Sequence, residues 1–147
     1  MAAIRRAEAT WLGDLAKGSG TVSASTSGAF AGLPVTWASR TEDADGRTSP
    51  EELVAAAHAA CYSMAFSSDL AKAGTPATRL DVSATVEFDR IDGKWTVRSS
   101  ELRVAGQVPG IDATTFRALA ETAKDGCPIS RALRGNVELS VEAVLEA

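Results

Sequence analysis

A thiol, an imidazole and three carboxylates fall within one stretch, SPEELVAAAHAACYSMAFSSDLAKAG, from Ser49 to Gly74. His58, the chain's only histidine, stands one turn before Cys61, a spacing that puts both on one side of a helix. The pair can act as nucleophile and base, or it can be inert packing. A cysteine among alanines is usually a small hydrophobe, and burial raises a thiol pKa. Cys61 stands about three turns into the helix, beyond the reach of its N-terminal dipole. A reactive Cys61 therefore needs a cation delivered by another part of the chain. His58 is that partner or a core imidazole with its hydrogen bonds met, and the spacing alone favours the core reading. Cys127 differs. It precedes Pro128 at the expected N-cap of a short helix, a place that lowers a thiol pKa. On residue chemistry alone Cys127 is the better nucleophile. Glu51 and Glu52 suit the positive end of the helix dipole. Only Glu52 is needed to complete an S-x-x-E capping box with Ser49, which leaves Glu51 free for other work. Arg40 and Arg47 bracket an acidic loop and are most simply solvated charges.

These residues need a scaffold, and the chain supplies one. Strands are expected over 4–12, 20–27 and 32–39, with the polar run RTEDADGRTSP, 40–50, as a loop. Ser49 is the expected N-cap of the long helix, Pro50 suits its first position, and Gly74 stops it. From Leu53 to Phe66 this helix is apolar or small nearly all round, which predicts burial on every side and hints at a partner subunit. Leu80, Val82, Ala84, Val86 and Phe88 alternate with polar residues as in a half-buried strand. Asp92-Gly93 is a hairpin signal, and 95–108 is the returning strand, broken near Ser99-Ser100. Asp112 caps a helix over about 113–125, with Ile111 and Phe116 at hydrophobic-staple spacing. Residues 127–135 form a short helix and 136–145 a last strand. The order β-β-β-α-β-β-α-α-β is an α+β layout in one domain spanning 1–147.

Composition narrows the function classes. At 147 residues the chain is long enough to fold without a disulfide or metal. Its net charge of −4, with no basic block, argues against nucleic acid. The opening residues MAAIRRAEATWLGD hold no apolar run long enough for a signal peptide, and no stretch reads as a membrane span. The expected compartment is the cytoplasm, where a cysteine pair is catalytic or redox-sensing rather than a structural staple. One histidine and two cysteines without a CxxC make a zinc site improbable, and no cofactor is expected. There is no G-x-S-x-G elbow and no phosphate-binding loop.

Two long segments carry a family resemblance. SPEELVAAAHAACYSMAFS, 49–67, is similar to an N-P-E-x-L…A-A-C-F signature, with Ser49 in place of Asn and Tyr62 in place of Phe. PGIDATTFRALAETAKDGCPISRAL, 109–133, holds a C-P-x-S. In these the chain resembles the OsmC/Ohr family, the osmotically inducible and organic-hydroperoxide-resistance proteins. HAAC and the opening ATWLGDLAKGSGTVS are closer to the OsmC branch than to the Ohr branch. The resemblance implies antiparallel sheets packed around a long central helix, in an intertwined homodimer with active sites at the subunit interface. It also implies a thiol peroxidase. Cys61 matches the peroxidatic cysteine and Cys127 the resolving one. Glu51 matches a carboxylate that organises the site, and Arg40 the arginine that stabilises the thiolate, with Arg47 as second candidate. This reverses the ranking of the two thiols, because a guanidinium beside Cys61 offsets the cost of burial.

The implied chemistry is reduction of organic hydroperoxides, and of hydrogen peroxide, through a Cys61 sulfenic acid that Cys127 resolves as an intrachain disulfide. An external dithiol reductant, dihydrolipoyl groups among them, then restores the thiols by exchange. An apolar pocket around Cys61 is expected to favour organic peroxides. Two other classes use the same residues: a redox sensor or binding module without turnover, and a hydrolase-like enzyme with Cys61 as nucleophile and His58 as base.

Overall fold

The computed structural model describes residues 1–147, which divide into two units, Met1–Leu53 and Val54–Ala147. In the first, β1 (Glu8–Leu12), β2 (Ser19–Ser23) and β3 (Leu33–Val35) form an antiparallel sheet in the order β1-β2-β3. Each strand is shorter than its alternation predicts. Beyond β3 the reason is local. Thr36 Oγ1 accepts from the Ser39 N–H at 3.0 Å while Ser39 Oγ accepts from the Thr36 N–H at 3.0 Å, a reciprocal capping box. The box starts a short helix, α1 (Trp37–Thr41), where a strand end and a loop were expected.

The long helix α2 (Pro50–Lys72) begins and ends where its signals say. Ser49 Oγ accepts from the Glu52 N–H at 3.1 Å, which satisfies one of the orphan donors of the first turn. The Glu52 carboxylate does not reach back. It accepts from the Thr48 hydroxyl at 2.6 Å, so the capping box is half formed. At the other end Gly74 adopts φ +82°, the Thr75 N–H bonds Leu70 O and the Gly74 N–H bonds Ala71 O, both at 3.0 Å. That is the left-handed termination for which glycine has no side-chain penalty.

The second unit is built on a sheet in the order β4-β5-β6, with β4 (Arg79–Ile91), β5 (Lys94–Gln107) and β6 (Glu138–Leu145). β4 and β5 form the expected antiparallel hairpin at Asp92-Gly93. β5 is not broken at Ser99-Ser100. A bulge takes up the irregularity: Glu87 pairs with Ser99 and Phe88 with Val97, which leaves Arg98 without an opposite residue. β6 runs parallel to β5, so the expectation of antiparallel sheets is corrected here. The connection explains it, since α3 (Ala113–Gly126) and α4 (Pro128–Leu133) make the long crossover that a parallel pair requires.

One face of this sheet presents Val82 and Ala84 of β4, Leu102 and Val104 of β5, and Val141 and Ala143 of β6. Leu102 lies between Ala84 and Val141 in register, and Val104 between Val82 and Ala143. Against this layer α2 sends Tyr62, Phe66 and Leu70, and α3 sends Phe116, Ala120 and Ala123. The Phe66 ring sits 5.7 Å from Tyr62 and 5.1 Å from Phe116, both tilted. Such ring pairs add about 0.5–1.5 kcal/mol beyond their buried area. Asp112 caps α3 as predicted, accepting from the Thr115 N–H at 2.9 Å.

α2 is not covered on every side. His58, Tyr62, Phe66 and Leu70 are buried at fourth-residue spacing, while Ala56, Ala57, Ala60 and Met64 face outward in the single chain. The all-round apolar character that predicted full burial therefore leaves one small-residue face without cover.

Close approach of α3 to β5 makes Gly106 a sensitive position. A Cβ added there would lie 2.6 and 2.7 Å from the Phe116 ring and 3.0 Å from Leu80 Cδ2. Gly106→Ala is expected to destabilise the fold by about 1–3 kcal/mol, the usual cost of overpacking. Urea unfolding checks this, and Phe116→Leu in the same chain should recover part of the loss.

Candidate active site

In the first unit, α1 positions Arg40 and the first turn of α2 positions Glu51. Arg40 Nη2 donates to Glu51 Oε1 at 2.7 Å, and Nε donates to both carboxylate oxygens at 3.0 and 3.1 Å. Two donors of one planar guanidinium on one carboxylate fix direction as well as distance. The Glu51 side chain is 8% exposed and that of Arg40 is 31% exposed, so the acid is the deeper partner. Arg40 also stands over the Trp37 ring, 5.8 Å from its centre, within cation–π range. Arg47 turns elsewhere, pairing with exposed Asp45 at 2.7 Å. Of the two candidate arginines, Arg40 is the one that Glu51 holds.

In the second unit the two cysteines meet. Cys61, half-buried on α2, and Cys127, fully buried between α3 and α4, are both free thiols. Cys127 ends one helix and begins the next: its N–H bonds Ala123 O at 2.8 Å and its carbonyl accepts from the Arg131 N–H at 2.9 Å. Pro128 behind it enforces an extended backbone, and Cys127 has φ −58° and ψ 124°. Its thiol lies beside the Cys61 sulfur. Three effects act on the Cys61 pKa. Burial raises it most, the backbone N–H of Ile129 lowers it, and the neighbouring Cys127 raises it, with a net upward shift. The first turn of α4 thus serves the other cysteine from the one expected. The Cys127 side chain makes no capping bond to α4, whereas Ile129 in that turn favours the Cys61 thiolate.

His58 is wholly buried and doubly bonded. Its Nδ1 lies 2.7 Å from Ser100 Oγ on β5, and its Nε2 lies 2.8 Å from Ser130 Oγ on α4. Burial lowers its pKa from the ordinary 6.5, so the neutral imidazole is the resting form. With both nitrogens occupied, His58 has none left to take a proton from Cys61. The core reading holds, and the Cys/His hydrolase loses its base. Tyr62, next to Cys61, donates to Ala120 O at 3.0 Å, and burial drives its phenol pKa up.

Sequence reasoning missed Ser100 and Ser130 as partners of His58, and the Ile129 N–H. Ser130 was visible as the serine of the C-P-x-S run, and TWAS, the capping pattern that places Arg40, stood in plain sight as a strand end. A groove along the outer face of α2 is lined by Ser63, Met64, Ser67, Ala71 and Leu80, and the apolar pocket expected at Cys61 is not part of it.

Comparison with known proteins gives consistent likenesses. The family model described as OsmC-like protein matches residues 42–142. A protein of Escherichia coli K12, "Peroxiredoxin OsmC", is 41% identical over 138 residues, covering 94% of this chain and 95% of its own. An "Organic hydroperoxide resistance protein" of Xanthomonas axonopodis pv. citri is 34% identical over 96 residues, 64% of this chain and 65% of its own. Among solved structures, the organic hydroperoxide resistance protein OhrB of Bacillus subtilis superposes with a TM-score of 0.72 at 25% identity, over 94% of this chain and 97% of its own.

The buried neutral imidazole carries a pH signature. Because the folded pKa of His58 is depressed, the unfolded chain binds a proton below about pH 6.5 that the folded chain refuses, so stability falls as pH drops through that range. His58→Gln should flatten this part of the profile. Urea midpoints taken at about pH 7.5 and pH 5.5 check it, above the range where carboxylates dominate.

Proposed function

The chain belongs to the OsmC family, and on that premise we propose that it is a thiol-dependent peroxidase reducing organic hydroperoxides, and hydrogen peroxide, with Cys61 as peroxidatic and Cys127 as resolving thiol. The observation that carries this reading is the meeting of Cys61 with Cys127, two free cysteines from distant parts of the chain. The names of the relatives from Escherichia coli and Xanthomonas point to the same chemistry.

The Cys61 thiolate attacks one peroxide oxygen, the O–O bond breaks, and the alkoxide leaves as the alcohol after taking a proton. Cys61 is now a sulfenic acid. The Cys127 sulfur attacks the Cys61 sulfur, the S–S bond forms, and the hydroxyl leaves as water with the Cys127 proton. An external dithiol, a dihydrolipoyl group being a suitable one, reduces the disulfide by exchange and is itself oxidised.

Within the second unit the influences on Cys61 sum upward, so forming a thiolate at neutral pH calls for a cation. Arg40 is assigned that task, with Glu51 holding its guanidinium in one orientation. The same charge would stabilise the oxyanion developing in the transition state. We read residues 1–147 as one OsmC-like domain, since the Escherichia coli relative aligns with 94% of them. No helix is long and apolar enough to cross a membrane, and a reducing cytoplasm, which resets dithiols, suits the cycle.

The reaction is tested with tert-butyl hydroperoxide and dihydrolipoamide. Wild type should turn over many times. Cys61→Ser should consume no peroxide. Cys127→Ser should react once, giving a Cys61 sulfenic acid that dimedone labels, and then over-oxidise. Arg40→Ala should slow the peroxide step by roughly 10²-fold, the scale of removing one transition-state donor, and move the alkylation profile of Cys61 to higher pH. Arg47→Ala should do neither. A label on Cys127 in Cys61→Ser would exchange the two roles, and a disulfide that no dithiol recycles would leave a sensor.

We also propose a homodimer formed over the outer face of α2, where Ala56, Ala57 and Ala60 lie beside Met64, itself 67% exposed. Small residues let two helices approach closely, and Met adapts to what it meets. Light scattering at micromolar concentration should give twice the chain mass; a monomer with full peroxidase activity overturns the dimer.

A further inference from the structure

His58 is a buried titratable side chain that the proposed peroxide chemistry leaves without a task. It sits one turn from Cys61 on α2, at i−3. Its Nε2 contact, 2.8 Å to Ser130 Oγ, crosses to the first turn of α4. Ser130 follows directly on the two groups that act on Cys61, the Cys127 thiol and the Ile129 N–H. Its Nδ1 contact, 2.7 Å to Ser100 Oγ, ties the ring to the central strand β5. All three side chains are wholly shut off from solvent or nearly so, and none is left with an unmet polar atom. α4 itself is six residues long, and its N-cap side chain makes no bond that would hold it in place.

We propose that His58 is a positioning residue for the resolving step, holding the first turn of α4 against α2 through Ser130 so that Cys127 stays within attacking range of oxidised Cys61. The proposal rests on the peroxidase reading above. Ser100 meets the other nitrogen, so the ring is buried without an unmet polar atom, while the link to α4 runs through Nε2 and Ser130. The two serine hydroxyls suit this work because each can donate or accept, so a neutral imidazole is matched in either tautomer. In the step concerned the Cys127 sulfur bonds to the Cys61 sulfur, the S–O bond of the sulfenic acid breaks, and water leaves. His58 takes no proton in it. Its effect is on the distance that the Cys127 sulfur must cover, and a small misplacement of a reacting group is enough to slow a bond-forming step severely.

The experiment follows the partition of Cys61 after one equivalent of tert-butyl hydroperoxide. Dimedone is added at timed intervals, and intact mass separates the trapped sulfenic acid from the closed disulfide. Ser130→Ala should slow closure by about tenfold or more, on the scale of a misplaced reacting group, with first oxidation of Cys61 much less affected. Ser100→Ala also removes one hydrogen bond from the buried ring, but on the side away from α4. It should lose similar thermal stability while closing near the wild-type rate, a contrast that a merely structural role does not produce. Should Ser130→Ala fail to fold, two substitutions at His58 carry the same test. An Asn amide reaches the position of Nδ1 but not that of Nε2, so His58→Asn should close slowly. A Gln amide reaches the position of Nε2, so His58→Gln should recover most of the rate. Equal closure in all these variants and wild type, with turnover intact, overturns the positioning role and leaves the peroxidase standing. A wild-type chain that forms no Cys61–Cys127 bridge overturns both.

Discussion

Every fourth residue of α2 from His58 to Leu70 faces inward, and this stripe governs where the chemistry of the second unit can be. The apolar members, Tyr62, Phe66 and Leu70, are held by the sheet and by α3. Once they are seated, the helix cannot turn about its axis. Cys61 then has no freedom of placement. At one residue before Tyr62 and three after His58 it falls on the flank of the stripe, half-buried, with its sulfur beside the α3–α4 junction. A thiol at the stripe's centre would be sealed in, and one on the opposite face would never meet Cys127. Packing energy spent on three large side chains thus fixes the address of a small one.

The polar groups of this unit are handled in two ways. An imidazole in the core is costly unless both nitrogens are bonded, and an unmet one loses about 1–3 kcal/mol. His58 avoids that loss with two hydroxyls that adapt to either tautomer. A thiol is nearly free to bury, because it behaves as a small hydrophobe. The expense appears only when it ionises, and one backbone N–H from Ile129 does not offset the desolvation of the sulfur. Within this unit, then, hydrogen bonds fully serve the group that stays neutral, while the Ile129 N–H alone favours an anion at Cys61.

Much of this was legible in the residues. The long helix could be placed from Ser49, Pro50 and Gly74 because each acts locally on the backbone. The hairpin at Asp92-Gly93 and the cap at Asp112 were legible for the same reason. The α1 turn was not, because Thr36 and Ser39 follow a run that alternates like a strand, and their reciprocal bonds outweigh that pattern. The parallel run of β6 was hidden because strand direction is decided by the crossover of α3 and α4 and not by the strand's own residues. For the site, the residues gave the thiols and carboxylates but ranked Cys127 first. The helix-terminus reading looked to Cys127, whereas the Ile129 N–H in the first turn of α4 acts on Cys61, and reaching Cys61 with it depends on a long-range contact. Ser100 carried no local mark, since a serine that bonds a distant imidazole looks like any other serine, and the C-P-x-S run marked Ser130 without pointing to an imidazole.

The parallel pairing of β5 with β6 also sets an order of events during synthesis. β4 and β5 are neighbours in the chain and can zip up as soon as both have left the ribosome. β6, eight residues ending at Leu145, follows only after α3 and α4. A growing chain, which emerges N-terminus first, therefore holds β5 with one edge open until β6 has emerged. Leu102 and Val104 have no parallel neighbour in that interval, and the polar edge of the strand is available to any other strand nearby. Cys61 has emerged long before the segment that brings Cys127 to it. The nascent thiol thus stands for that interval without its partner and outside the architecture that later encloses it.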